Sequence, residues 1–223
     1  MGIQERKKRE KERRRQQILS AAKLLFANRG FHQTTMEEIA NEAELSPGTL
    51  YLYFKSKDEL FAELSLGIIR YLIMRLESLR SEENSTAEQQ LSAVKDILQD
   101  VCTFDSFILV NTLRLQSDET LKKLSPRLFS ELQKEVYKAA GYLSDIFSSG
   151  VHNGLFIDKH PSLFTGILWA VFSGSVLLSE IQGSFSTTSS NLQMFLENAL
   201  DIFSRGIRKP SSETAEIPAG HNF

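Results

Sequence analysis

The chain has 223 residues, of which 41% are hydrophobic and 24% charged, enough apolar material for one domain or two small ones. No stretch approaches about 18 consecutive apolar residues, and the charged N-terminus carries no apolar leader, so neither a membrane span nor a secretory signal is expected. The lone Cys102 cannot form an internal disulfide and fits a reducing cytoplasm.

Net charge is −2, but it is unevenly spread. Residues 1–60 hold 12 Lys/Arg and 9 Asp/Glu, whereas residues 61–223 hold 14 and 19; the first 15 residues alone hold 8 and 3, a net +5. A basic head on an acidic body points to a polyanion at one end. The pairs Glu5/Arg9 and Glu10/Arg14, four residues apart, suit a solvated helix start equally well.

In chain order the pattern is helical nearly throughout. Ile18, Ala21, Ala22, Leu25 and Phe26 repeat at the spacing of one buried helix face, which ends at Gly30. Thr35 and Glu38 make a capping box for a short helix ending near Ala43. Ser46-Pro47 opens a third helix, Ser as the cap and Pro in the first turn, running to about Tyr53. Ser56 and Glu59 form a second capping box, which starts a long helix reaching about Leu79. Further helices follow around residues 91–102 and 107–115, from Ser125-Pro126 to Gly150 or Gly154, from His160-Pro161, and after the polar stretch 183–191 to about Arg208. Residues 209–223 read as a disordered tail.

Two short helices joined by a three-residue turn around Leu45 have the layout of a helix-turn-helix, whose second helix enters the DNA major groove. Projected at about 100° per residue, Pro47, Leu50 and Phe54 fall on the buried side of that second helix. Leu52 falls opposite them, with Gly48 and Thr49 beside it and Tyr51 and Tyr53 on the flanks. An outward leucine suits a thymine methyl, a threonine suits a base edge or a phosphate, and tyrosine hydroxyls suit phosphates. Tight helix pairs also occur in helical proteins that bind no nucleic acid, and exposed Tyr or Leu is common.

Residues 18–61, "ILSAAKLLFANRGFHQTTMEEIANEAELSPGTLYLYFKSKDELF", resemble the DNA-binding domain of TetR-family bacterial transcriptional regulators. The landmarks are Ala21-Ala22, Phe26, Gly30-Phe31, Thr34-Thr35, Ile39-Ala40 and above all "SPGTLYLYFKSKDELF"; the likeness fades after residue 70. The resemblance implies an all-α regulator of about nine helices. A helix-turn-helix domain with a basic arm would span residues 1–55, and a helical ligand-binding and dimerisation domain residues 56–208. It also implies that Thr35, Ser46, Pro47, Gly48, Thr49, Tyr51, Leu52, Tyr53 and Lys57 face double-stranded operator DNA, Lys57 reaching a phosphate.

In the body, apolar stripes on the last two helices are wide enough for a core and a partner. The resemblance places a homodimer interface there, at Leu163, Ile167, Ala170, Gly174, Leu178, Leu192, Phe195, Leu196 and Phe203. It further implies a cavity for a small apolar or amphipathic effector, with Phe104, Phe107, Leu113, Tyr137, Tyr142, Trp169 and Phe172 as candidate lining; aromatics at helical spacing are also ordinary core.

The four histidines have no metal-ligand spacing with one another or with Cys102, and no phosphate-binding glycine loop or nucleophile elbow occurs, so no enzyme activity and no cofactor is expected. The expectation is a repressor released from DNA by its effector. An activator or chromosome-organising protein of the same fold, and a helical ligand-binding dimer without operator binding, are the alternatives.

Overall fold

A computed structural model describes residues 2–80, 85–114, 124–183 and 191–210. Among them are nine helices: α1 (Ile3–Arg29), α2 (Met36–Glu42), α3 (Pro47–Tyr53), α4 (Lys57–Arg80), α5 (Ala87–Phe104), α6 (Ser106–Arg114), α7 (Pro126–His152), α8 (Pro161–Gly183) and α9 (Asn191–Gly206). No strand occurs among the described residues; a single antiparallel bridge pairs Phe156 with Arg208. The all-helical class and the N-terminal helix-turn-helix are as the sequence predicts. Of the expected tail, 211–223 lies outside the described residues.

Local signals set the helix ends. At Gly30, φ is +82°, and its N–H donates to Phe26 O at 2.9 Å, closing α1. Thr35 and Glu38 exchange both bonds of the expected capping box. The second box is offset: Ser56 Oγ accepts from Glu59 N–H at 3.2 Å, but the Glu59 carboxylate accepts from Lys55 N–H at 2.9 Å, one residue earlier than predicted. Two caps escaped the sequence reading. Thr86 and Gln89 exchange side-chain bonds with each other's N–H groups at the start of α5, and Asp105 Oδ1 accepts from Ile108 N–H at 3.1 Å to cap α6.

The chain packs as two compact units, Met1–Arg75 with Asp100–Ala139, and Leu76–Gln99 with Ala140–Phe223. The boundary expected at residues 55 and 56 is not one of these divisions.

In the first unit, Ile18, Leu19, Ala22, Leu25 and Phe26 of α1 are buried, as are Ile39 and Ala40 of α2, Leu50 of α3 and Leu60 and Phe61 of α4. Phe26, Phe31 and Phe61 form a ring triad with centroids 5.3–5.9 Å apart, pinning the loop after α1 between α1 and α4. Buried side chains of this size contribute roughly 1.5–3 kcal/mol each. Ala62, Leu66, Leu124 and Leu128 make a further buried cluster.

The core of the second unit centres on Phe147 of α7, whose ring lies 5.5–6.3 Å from Phe156, Phe164 and Phe203. The connector after α7 pairs with the segment after α9: Ile157 N–H donates to Ile207 O at 2.8 Å and Lys209 N–H to Leu155 O at 2.9 Å. α8 is two-sided, with Phe164, Leu168, Phe172 and Val176 buried and Leu163, Ile167 and Leu178 exposed. Its segment Pro161–Leu178, with mean hydropathy 1.6, is long and apolar enough to cross a membrane by length and composition alone, although Ser162, Thr165, Gly166, Ser173 and Ser175 interrupt its apolar run.

Candidate nucleic-acid interface

The helix-turn-helix is built by short-range chemistry. α2 ends in a Schellman arrangement: Leu45 N–H donates to Ala40 O at 2.8 Å and Glu44 N–H to Asn41 O at 3.0 Å. Glu44 takes the left-handed conformation this demands, with φ of +53°, where glycine is the unstrained choice. Gln17 of α1 braces the same turn, its Nε2 donating to Ala43 O at 2.7 Å. The Thr34 hydroxyl, wholly buried, donates to Gly30 O at 2.9 Å.

α3 is anchored by Leu50 and by Phe54 just beyond its end, both buried. Leu52 is 78% exposed and Tyr51 39%. Pro47 is exposed, contrary to the helical projection, because a residue in the first turn of so short a helix stands clear of the core. Ser46 caps the helix: its Oγ accepts from Thr49 N–H at 3.2 Å and lies 2.8 Å from Thr49 Oγ1. Ser46, Pro47, Gly48, Tyr51 and Leu52 are thus exposed on one short element, with Thr49 and Tyr53 half-buried. Thr35 is exposed at the start of α2, where its N–H and hydroxyl, bonded to Glu38, hold that carboxyl below the usual carboxylate range.

Lys57 sits differently from expectation. Its Nζ donates to Phe31 O at 2.8 Å and His32 O at 3.4 Å and lies 4.9 Å from the Phe31 ring centre. The ammonium therefore closes the loop before α2. Lys55, which the sequence reading did not select, donates from Nζ to Tyr51 O at 2.9 Å at the end of α3.

The expected effector-lining residues are scattered in character. Leu113 and Phe172 are buried, and Trp169 is half-buried with its ring 5.6 Å from Phe172. Tyr142, half-buried, donates its hydroxyl to Glu77 at 2.8 Å. Phe104 and Tyr137 are surface residues, 52% and 69% exposed, Phe104 stacked on Tyr71 at 4.2 Å. The Phe107 side chain lies outside the described residues. A cleft of about 350 Å³ in the second unit is lined by other residues, among them Gln89, Lys95, Ser204 and Arg208. Cys102 is buried, which pushes its thiol up to about 12 and leaves it protonated.

Of the expected interface residues, Leu163, Ile167, Ala170, Leu178 and Phe195 are exposed in the single chain, and Gly174 and Leu192 half-exposed. Leu196 and Phe203 are corrections. Both are buried in the core of their own chain, and Phe203 packs edge-on against Phe147. Met194 and Ile202, the latter 71% exposed, stand on the open side of α9 instead. Ile202 lies seven residues after Phe195, a spacing that could have revealed it.

Residues 18–64 match the family model for "Bacterial regulatory proteins, tetR family". An uncharacterised HTH-type transcriptional regulator of Haemophilus influenzae is 37% identical over 82 residues, 37% of this chain and 44% of that protein. The fatty acid metabolism regulator protein of Bacillus subtilis is 36% identical over 78 residues, 35% of this chain and 40% of that one. The match thus spans less than half the length of these relatives. The fold extends further: the crystal structure of FadR from Bacillus subtilis, in complex with stearoyl-CoA, superposes with a TM-score of 0.67 at 22% identity, covering 86% of this chain and 99% of that one. Residues 18–64 are thus a head of the tetR type in sequence, and the helical architecture of that solved structure extends over most of the chain.

Proposed function

We propose that the protein is a homodimeric transcription regulator of the cytoplasm, a repressor released from operator DNA by an apolar or amphipathic small molecule. The observation that carries the reading is α3: a helix held from beneath by Leu50 and Phe54 that presents Leu52 and Tyr51 to the outside. In a major groove, Thr49 and Leu52 read bases, while Thr35, Ser46, Tyr51 and Tyr53 set the register on phosphates. Pro47 and Gly48 add little bulk at the approach. Lys57 keeps one of its three ammonium donors for a phosphate, since two are directed at carbonyls.

One seven-residue helix spans few base pairs, so two copies on adjacent half-sites supply the specificity. The open apolar side of α8, with Phe195 and Ile202 of α9, is the surface through which they pair. Support for the effector class comes from the Bacillus subtilis relative that carries stearoyl-CoA. Tyr142, Trp169 and Phe172 are the lining candidates in the second unit. DNA and effector then weaken each other by one common factor, typically about 1–3 kcal/mol.

Selection from random duplex DNA tests the reading. The parent protein should retain a two-fold symmetric motif. Thr49→Ala and Leu52→Ala should shift that motif, a good base contact carrying about 1–3 kcal/mol of discrimination. Tyr53→Ala should weaken binding without changing it. A parent that retains no duplex overturns the regulator reading; an unchanged motif in both variants overturns the assignment of the base-reading residues.

A further inference from the structure

The +5 charge of residues 1–15 lies on one side of a helix. α1 begins at Ile3, so these residues obey helical geometry. At about 100° per residue, Lys7, Lys8, Lys11, Arg14 and Arg15 fall within one arc of about 120°. Outside that arc, three cations (Arg6, Arg9, Arg13) face three acids (Glu5, Glu10, Glu12), and the sum is zero. All of the net charge is therefore on the arc. A merely solvated helix start has no need to segregate its charge in this way.

The arc points in the same direction as Ile18, Ala22 and Leu25, the residues that bury α1 in the head. Where arm and head meet, Arg15, on the arc, pairs with Glu63 and lies 5.4 Å from the ring of Phe54 at the end of α3. The basic side of the arm is thus the side of α1 that carries the helix-turn-helix. Arg14 is bonded to Glu10 at 3.2 Å. Lys7, Lys8 and Lys11 are exposed, and no ion pair among the described residues engages them.

We infer that Lys7, Lys8 and Lys11 form a second, sequence-independent DNA contact, the arm lying as a rigid helix along the phosphates that flank the base pairs read by α3. The inference rests on the proposed DNA-binding function. A helix is about 10 Å across, too wide for a minor groove of about 6 Å, so the arm runs along the backbone and does not thread into the groove. The exposed turns before Ile18 rise about 22 Å, roughly six base pairs at about 3.4 Å each.

The test compares two triple variants of the full chain with equal loss of charge, K7Q/K8Q/K11Q on the arc and R6Q/R9Q/R13Q off it. The probe is a 40-base-pair duplex recovered by the parent from random DNA, and circular dichroism verifies that both variants keep the parental fold. Each phosphate contact contributes about −0.9 to the slope of log K against log salt. The arc variant should have a slope shallower by up to about 2.7 for each arm, or about 5.4 for the dimer, and a shorter hydroxyl-radical footprint at the outer edges. The off-arc variant should keep the footprint and nearly the parental slope. Equal changes in the two variants, or an unchanged slope in the first, overturn the inference while leaving α3 binding intact. A parent that binds no duplex overturns the proposed function itself.

Discussion

Lys23 of α1 and Asp105, the residue that caps α6, form an ion pair at 2.5 Å. One carboxylate oxygen of Asp105 accepts the Ile108 N–H of α6 while the other meets the ammonium of a helix that buries its apolar face in the DNA-binding head. The two jobs are separable. Asp105→Ala removes both and should cost about 1 kcal/mol or more, the usual worth of a cap. Asp105→Asn keeps the acceptor and loses the charge. A double-mutant cycle with Lys23→Met should give a coupling of about 1 kcal/mol, the upper end for surface pairs, because the Asp105 side chain is only 10% exposed. Urea unfolding of the four proteins measures it; a coupling of zero would mean that the pair does not tie the two helices together energetically.

Glu44 is held at a positive φ by the Schellman bonds of α2. Glu44→Gly relieves that strain, about 1–2 kcal/mol for a non-glycine residue, but adds freedom to the unfolded chain. The net expectation is a gain of about 0.5–1 kcal/mol, read as a higher melting temperature. Glu44→Ala leaves the strain in place and should show no such gain.

Two glycines of α7 should respond in opposite senses to the same substitution. Gly141 faces open space, and Gly141→Ala should stabilise by about 0.5–1 kcal/mol through helix preference. At Gly150 an added Cβ would stand 2.0 Å from the buried Phe156 ring. Gly150→Ala must displace that ring from beside Phe147 and should cost about 2 kcal/mol or more. Chemical denaturation of both variants decides, and a stabilised Gly150→Ala would show that the connector repacks freely.

Ile167 sits at the middle of the open stripe on α8, exposed in the single chain. Ile167→Glu places a charge where a second copy is proposed to bury an apolar side chain, and burying it unpaired costs several kcal/mol. Light scattering should then report a monomer in place of a dimer, with unchanged helical content. A dimer of undiminished stability would move the interface elsewhere.

What was legible in the sequence was what neighbours decide. Gly30, the Thr35–Glu38 box and Ser46-Pro47 act through bonds that span at most four residues, and each stands where the pattern put it. Lys57 could not be read, because its partners Phe31 and His32 lie 26 and 25 residues away and meet it only once the aromatic triad has formed. Phe195 and Leu196 share one apolar stripe, yet one is exposed and the other buried. Periodicity gives the width of a stripe, not which edge faces the chain's own core. Phe104 and Tyr137 failed as interior residues for a related reason, since aromatic identity does not say which side of a helix is covered.

The hydroxyl pair of Ser46 and Thr49 has a consequence for chemistry beyond the four standard bases. With those oxygens turned to each other and to the Thr49 N–H, the most exposed large side chain that α3 offers outward is the hydrocarbon of Leu52. Such a face distinguishes bases chiefly by the methyl group that thymine carries at its fifth carbon. A cytosine methylated at that same carbon presents the same bump in the major groove. If α3 reads bases as proposed, such a cytosine would pass for thymine at the position that Leu52 meets.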